Sequence, residues 1–441
     1  MKARPLIVVV LPVFLLLQSC HRLAITDINL FDPATGLMMP NRTILVEGDR
    51  VTAIGKPGSE IKIPSFTKII NGSGKWIIPG LIDAHSHLVF LLDSLNIKGE
   101  EMMPLYLGNG VTSVRDIGDG IIEQKRVADF AAAHRETCPT VFLCSPLIDG
   151  AHPYHGADRV SMPVTDPARV PGFIDSLVAY GVSTLKLYVY ADSAVFHKVI
   201  DEGHKHGLTV SAHLPSNVVK TQDALNWGLD VIEHVFGTPD DSLLIAQMVK
   251  QGTMLDPTLI VFKNMLLFND QPEVYQNADN SFMPDTVLKY WDTYRMNAQW
   301  TGSRLTKENF QSRLKYMEGY MNAAARLYHA GVTLLAGTDS PEPYCPPGFA
   351  LHDELSLLVE CGLSPAAALK CATLNNAKAL KQQDNLGTIE VGKIADMVIL
   401  DADPLTDIRN SRAINQVIHH GIVCDPKALL SMPRNATSKK N

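Results

Sequence analysis

Residues Trp76 to Leu88 read WIIPGLIDAHSHL, and this stretch decides the fold. It opens as an apolar run suited to a buried strand and closes with two histidines at alternate positions. In extended chain such side chains lie on one face, so His85 and His87 can offer both imidazoles to one cation. Taken alone, a His-x-His pair suits a loop equally well.

Working outward, similar apolar runs recur between helix-like stretches: Ile77–Ile82, Val111–Arg115, Thr140–Cys144, Thr184–Tyr190, Leu208–Ala212, Asp230–Ile232, Thr253–Leu255 and Val332–Ala336. Eight strand-like runs in this alternation predict an α/β fold, a (β/α)8 barrel of the TIM type. Phe262 to His329 is rich in Met, Phe, Tyr and Asn and helical in pattern, an enlarged connection between the seventh and eighth strands. Asp353 to Leu380 predicts two helices, with Ser364 and Pro365 as N-cap and first-turn residue.

Before the barrel, β-rich segments at Ala24–Leu30, Thr43–Glu47 and Val51–Ile54 alternate with turns. Strand-like alternation returns from Gly387 to Leu400. The expectation is a small β-sandwich made by both chain ends, residues 20–75 with 385–430, around a barrel of 76–384, followed by a flexible tail at 431–441.

Candidate chemistry sits at strand ends, where barrel active sites lie. Lys186 interrupts an apolar run, His213 follows Val210-Ser211-Ala212, His234 follows Ile232-Glu233, and Asp339 follows Gly337-Thr338. Each has a plain alternative: a snorkelling or paired lysine, hydrogen-bonded core histidines, a turn-capping aspartate. Their recurrence at the mouths of one barrel favours a metal site, because nitrogen and oxygen donors of these types suit zinc or a similar divalent ion.

Hydrophobic content of 46% against 19% charged residues excludes a disordered chain. A net charge of -7, with no basic run except Lys439-Lys440, gives no footprint for nucleic acid, so a small-molecule or dipeptide substrate is expected. Lys2 and Arg4 precede an apolar run, Leu6 to Leu17, too short to span a bilayer, which predicts a signal peptide over residues 1–19. Leu17-Gln18-Ser19-Cys20 resembles the lipobox of bacterial lipoproteins, which makes Cys20 the lipidation site and the cell envelope the location. The membrane is then met only through a lipid anchor. An ordinary cleaved signal with a chance cysteine is the alternative, and both imply export. The other six cysteines lack paired spacing and read as scattered buried thiols. Whether the chain forms a homo-oligomer is left open.

Several motifs together resemble the amidohydrolase superfamily: Pro79 to Leu88 (PGLIDAHSHL), Gly110 to Asp116 (GVTSVRD), Ile232-Glu233-His234, Gly331 to Asp339 (GVTLLAGTD) and Gly387 to Leu400 (GTIEVGKIADMVIL). The resemblance spans nearly the whole mature chain and is nearest to the branch of imidazolonepropionase-like proteins and Xaa-Pro dipeptidases. It implies two divalent metal ions, zinc being the natural choice. His85, His87 and Asp339 would hold the more buried ion and His213 and His234 the more exposed one. Lys186 would bridge them as a carbamate derived from carbon dioxide. A water shared by the metals would become the attacking hydroxide, with Asp339 taking its proton.

The same resemblance puts His152 where this branch keeps a carbonyl-polarising histidine. His155 is close by, and Tyr154, Tyr188 and Tyr190 near the mouth are candidate substrate contacts, with core packing as the alternative. Many relatives carry a second histidine two residues after the one matching His213; here Pro215 stands in its place. Arg115-Asp116 reads as a buried structural ion pair. The implied activity is hydrolysis of an amide-like C–N bond in an Xaa-Pro or other dipeptide or an N-acyl amino acid. The rivals are a deaminase, a phosphoester or lactone hydrolase, and a non-catalytic binding protein on the same fold. Lys186 speaks against a mononuclear deaminase, which needs no bridging lysine, and the complete ligand set speaks against a binding protein.

Overall fold

Pro79 and Gly80 divide the leading apolar run between two sheets. The Gly80 N–H donates to the Asp396 carbonyl at 2.8 Å, while the next amide, that of Leu81, donates to Gly110 at 3.0 Å. A Cβ on Gly80 would lie 2.1 Å from Thr112 Oγ1, so glycine is required where the chain changes sheets. The single strand expected over Ile77–Ile82 is therefore two elements.

The computed structural model describes residues 22–56, 61–156, 160–214, 216–267, 271–297 and 309–438, by backbone alone at 294–297 and 434–438. The leader with Cys20, Pro215, and the Lys439-Lys440 pair lie outside the described residues.

The N-terminal strands are β1 (Arg22–Asp32), β2 (Leu37–Glu47), β3 (Arg50–Gly55), β4 (Lys68–Asn71) and β5 (Trp76–Pro79). β1 pairs with β4 through Leu23–Thr26 and with β5 through Asn29–Leu30. Between these, Asp27 adopts a positive φ of 56° and the β1–β2 register shifts, as at a bulge that bends the sheet. Ile25, Ile28, Ile44 and Ile77 are completely buried in the core of this sheet.

The barrel strands are β6 (Leu81–Ser86), β7 (Val111–Gly118), β8 (Thr140–Asp149), β9 (Ser161–Pro163, paired to β8), β10 (Thr184–Leu187), β11 (Thr209–His213), β12 (Val231–Glu233) and β13 (Met254–Asp256). Hydrogen bonding runs β13-β12-β11-β10-β8-β7-β6 with parallel pairs throughout. β6 and β7 are buried at every residue, as parallel strands covered on both faces must be.

The eighth run, Val332–Ala336, is not a regular strand but bridges the two edges. Leu335 N–H donates to Leu255 at 2.8 Å, Leu255 N–H to Thr333 at 3.0 Å, and Ala84 N–H to Ala336 at 3.1 Å. Two asparagines take part in this closure. Asn375 donates to Leu334 O at 2.9 Å, and Asn376 donates to both Ile82 O and Ala336 O at 2.7 and 2.8 Å while accepting from Ala336 N at 3.2 Å. Both lie where a π-type turn, Cys371–Asn375, interrupts the helical stretch 365–379.

The last strands, β14 (Met397–Leu400), β15 (Ile414–His419) and β16 (Ile422–Cys424), return to the N-terminal sheet, where β14 pairs antiparallel with β5. The result is one hydrogen-bonded sheet in the order β16-β15-β14-β5-β1-β2-β3, where a sandwich was expected. β1 meets three partners and so joins into one ladder what the segment pattern suggested were separate layers. Of Gly387–Leu400, only the last four residues are strand.

The enlarged connection contains helices Leu259–Leu267, Asp285–Asn297 and Phe310–His329. It packs onto the chain after Asp339: Trp291, fully buried, donates to Pro341 O at 3.1 Å, and Asn264 donates to Tyr344 O at 2.7 Å. Where two helices were expected at Asp353–Leu380, helix Phe349–Glu360 precedes the interrupted one, and Ser364 does cap its first turn, accepting from Ala367 N. Where a tail was expected from 431, helix Pro426–Ser438 continues the chain. Leu429 is buried, and a Cβ on Gly108 would come within 3.3 Å of Leu429 and closer still to Leu430. No helix among the described residues is long and apolar enough to cross a membrane. The six cysteines after Cys20 are buried free thiols.

Asn376→Leu leaves the carbonyl of Ile82 and the amide of Ala336 without their side-chain partner. Urea unfolding is expected to show a loss of about 1–3 kcal/mol per unsatisfied group. An unchanged midpoint would show that the asparagine does not hold the barrel closed.

Candidate metal centre

The strand ends bring all six expected ligands to one place. His85 lies near the end of β6, Lys186 inside β10, His213 at the end of β11 and His234 one residue past β12; His87 and Asp339 stand on the loops that follow β6 and the eighth run. Asp339 Oδ1 is 3.0 Å from His87 Nε2 and 3.5 Å from His85 Nε2, and these three groups could hold one metal ion. The His234 ring is 4.8 Å from that of His85 and 4.9 Å from that of His213. His234 and Asp339 both have positive φ, 70° and 59°, a conformation costly for residues with a side chain. Such strain persists where the surroundings dictate it, and it concentrates at functional sites.

Burial sets the protonation states. It draws the pKa of His85 down to about 4 and of His213 to about 3, and holds that of His234 well below the usual range. These imidazoles are neutral near pH 7, the form that binds metal. Burial likewise depresses Lys186, a residue 1% exposed whose amine meets no hydrogen-bond partner among the described residues; nor does His213 Nδ1. An unpartnered buried amine is costly, and a covalent or metal partner would remove that cost. His87 behaves oppositely: burial disfavours its charge, but the bond to Asp339 prevails and lifts it to about 9. Asp339 is held far below the carboxylate range, since His85 and His87 outweigh its burial. This pair draws positive charge between its members, whether proton or metal ion.

Supporting residues reach behind the ligands. His85 Nδ1 faces Glu233 Oε2 at 2.9 Å, and an ionised carboxylate can only accept, so Nδ1 carries the proton and Nε2 is left for a metal. Arg115 donates to Glu233 Oε1 at 2.7 Å and to the carbonyl of Ala84, and lies 3.6 Å from Asp256. Despite the cost of burying it, Glu233 stays ionised because Arg115 attracts its charge and His85 donates a hydrogen bond to it. His234 Nδ1 is 2.8 Å from Thr258 Oγ1. The expected Arg115–Asp116 pair does not form: neighbours in a strand face opposite ways, and Asp116 instead accepts from Leu88 N at 2.9 Å. Sequence reading missed Glu233 and Thr258. A glutamate inside the apolar run Val231-Ile232-Glu233 was a signal that could have found the first.

A cavity of about 290 Å³ opens over the ligands. His155 and Tyr188 line it, hydrogen-bonded at 3.1 Å, together with Tyr290 and Glu342. Phe90, Leu147, Val160, Phe236, Phe262 and Met265 supply apolar wall. Burial, then the charge of Asp339, raise Glu342 to about 7. His152 is exposed and does not line the cavity; the chain after β8 turns outward at Gly150, whose absent Cβ would lie 2.2 Å from Tyr190 O, and returns at His155. Tyr154 and Tyr190 also stay outside the lining, 47% and 38% exposed.

Glu233→Ala takes from buried Arg115 its hydrogen-bonded carboxylate, leaving Asp256 at 3.6 Å, and frees the His85 ring. Stability is expected to fall by roughly 3–5 kcal/mol, and metal affinity by about 10–100-fold. Chemical unfolding and competition with a chelator would measure the two effects, and wild-type affinity would remove Glu233 from the centre.

Comparison with known proteins agrees with this site. Residues 76–423 match the Amidohydrolase family. The imidazolonepropionase of Fusobacterium nucleatum is 23% identical over 377 residues, 82% of this chain and 85% of that protein. Among solved structures, a Bifidobacterium longum protein provisionally described as a prolidase aligns with a TM-score of 0.73 at 25% identity, covering 94% of this chain and 99% of that one. A Xaa-Pro dipeptidase with methionine bound in its active site aligns at 0.70 and 20% identity, covering 91% and 99%. The chain belongs to the amidohydrolase family, in its imidazolonepropionase- and prolidase-like branch, and is a metal-dependent hydrolase acting on carbon–nitrogen bonds.

Proposed function

We propose that this enzyme is a binuclear amide hydrolase acting on dipeptides, Xaa-Pro among them, or on N-acyl amino acids. The observation that carries this reading is the buried, unpartnered amine of Lys186 beside His85, His213 and His234. A neutral amine can attack carbon dioxide: the new N–C bond forms, a nitrogen proton leaves, and an anionic carbamate results that can face two cations. His85, His87 and Asp339 would hold one ion and His213 and His234 the other, with zinc suited to this donor set. When bound, such ions acidify water and polarise the scissile carbonyl.

The chain's own groups perform the rest. The Asp339 carboxylate accepts a proton from the attacking water and passes it to the leaving nitrogen. His155, held against the Tyr188 hydroxyl, takes the carbonyl-donor role first expected of His152. The apolar wall favours a substrate with an aromatic or branched aliphatic group. Among the described lining residues Lys186 is the one basic side chain apart from histidines, so a substrate carboxylate falls to Tyr188, Tyr290 and His155.

Lys186→Ala is expected to lose most bound metal and nearly all turnover. His155→Asn should keep its metal and lose about 10²-fold or more in kcat. Elemental analysis and assay against a dipeptide and N-acyl amino acid panel check both, and a fully active Lys186→Ala enzyme would end the binuclear reading. For location we infer a lipid-anchored envelope protein, supported by the leader and Leu17-Gln18-Ser19-Cys20. Cys20→Ala should move the enzyme from the membrane fraction to the soluble fraction with activity intact.

A further inference from the structure

On the opposite side of the barrel from its mouth lies a second group of metal-type ligands. Asp396 immediately precedes β14 and its carbonyl accepts from Gly80, at the entry to β6. His419 ends β15, and His420 begins the turn to β16. His420 Nε2 is 3.2 Å from Thr140 Oγ1, at the first residue of β8. One ligand atom from each of Asp396, His419 and His420 lies within 4.8 Å of the other two.

Their pairing is incomplete. Asp396 Oδ1 lies 3.1 Å from His419 Nδ1 and accepts from the His420 backbone N–H at 2.7 Å. This leaves Asp396 Oδ2, His419 Nε2 and His420 Nδ1 buried with no hydrogen-bond partner among the described residues. Asp396 and His419 are only 5% and 1% exposed. His420, held at Nε2 by Thr140 and bare at Nδ1, is arranged like a metal-ligating histidine with its support, and an ion between Asp396 and His419 Nδ1 would take the place of their 3.1 Å contact. Asp49, on the turn between β2 and β3, adds an oxygen 3.8 Å from His420 Nδ1.

We propose that Asp396, His419 and His420, with Asp49 at the rim, bind a structural divalent ion of the zinc type, separate from the barrel centre. Two imidazoles and two carboxylates form a four-donor set suited to such an ion. The ion ties the N-terminal hairpin, β14 and the β15–β16 turn to the foot of the barrel.

The test uses the full enzyme, loaded with zinc, dialysed, and analysed for zinc per chain. His419→Gln and His420→Asn should each hold one zinc fewer than wild type, keep kcat, and melt at lower temperature. His420→Asn guards against misfolding: asparagine tolerates the φ of 47°, and the bond to Asp396 comes from the backbone. Equal zinc content in variant and wild type would overturn the proposal and point to a buried water beside Asp396 and His420. So would loss of zinc together with kcat, because the missing ion would then be the barrel's.

Discussion

Glu233 is a carboxylate with no solvent exposure, and the site depends on how its charge is compensated. Arg115, equally buried, donates to one oxygen and His85 to the other. Neither the arginine nor the glutamate could stay charged there alone, since breaking such a pair leaves an ion in low dielectric. The chain Arg115–Glu233–His85 therefore fixes three strands, β7, β12 and β6, in mutual register at the point where metal chemistry is required. Charge compensation and ligand orientation are one arrangement. The close approach of Gly337 to Asp256 and His85 shows how little room surrounds it: a Cβ there would sit 2.3 Å from a carboxylate oxygen.

The ligands were legible because each follows an apolar strand, and a barrel places every strand end at one mouth. A polar residue after such a run is visible by eye, as with His213, His234 and Asp339. What supports them was less visible, since partners such as Glu233 and Thr258 are chosen by contacts across the barrel that no local spacing records. His152 and His155 illustrate the limit within one loop. Three residues apart, they are equivalent in composition, and only the outward turn at Gly150 decides which enters the cavity. Arg115 and Asp116 illustrate another: opposite charges side by side in a strand look like a pair, yet the pleat turns them apart.

At fold level the alternation of apolar runs gave the barrel, while Gly80 hid the boundary between sheets. The run Ile77–Ile82 is apolar on both sides of Pro79-Gly80, and the division falls where a side chain would meet Thr112. The eighth run also escaped the regular pattern. Its edges are joined partly by the side chains of Asn375 and Asn376, which a π-type turn carries inward, so part of the closure rests on amide side chains from a distant helix.

The pairing of β5 with β14 bears on the order in which the molecule can be built. Met397 lies opposite Pro79 and Leu400 opposite Trp76, partners separated by more than three hundred residues of chain. Closing so long a loop must precede any reward from the contact, so the terminal sheet belongs among the slow, late events of folding. During synthesis β1 to β5 emerge first, and the edge of β5 that β14 covers waits until the entire barrel sequence has followed. The long-range ladder thus makes the small sheet a latch that sets only when the whole chain is present.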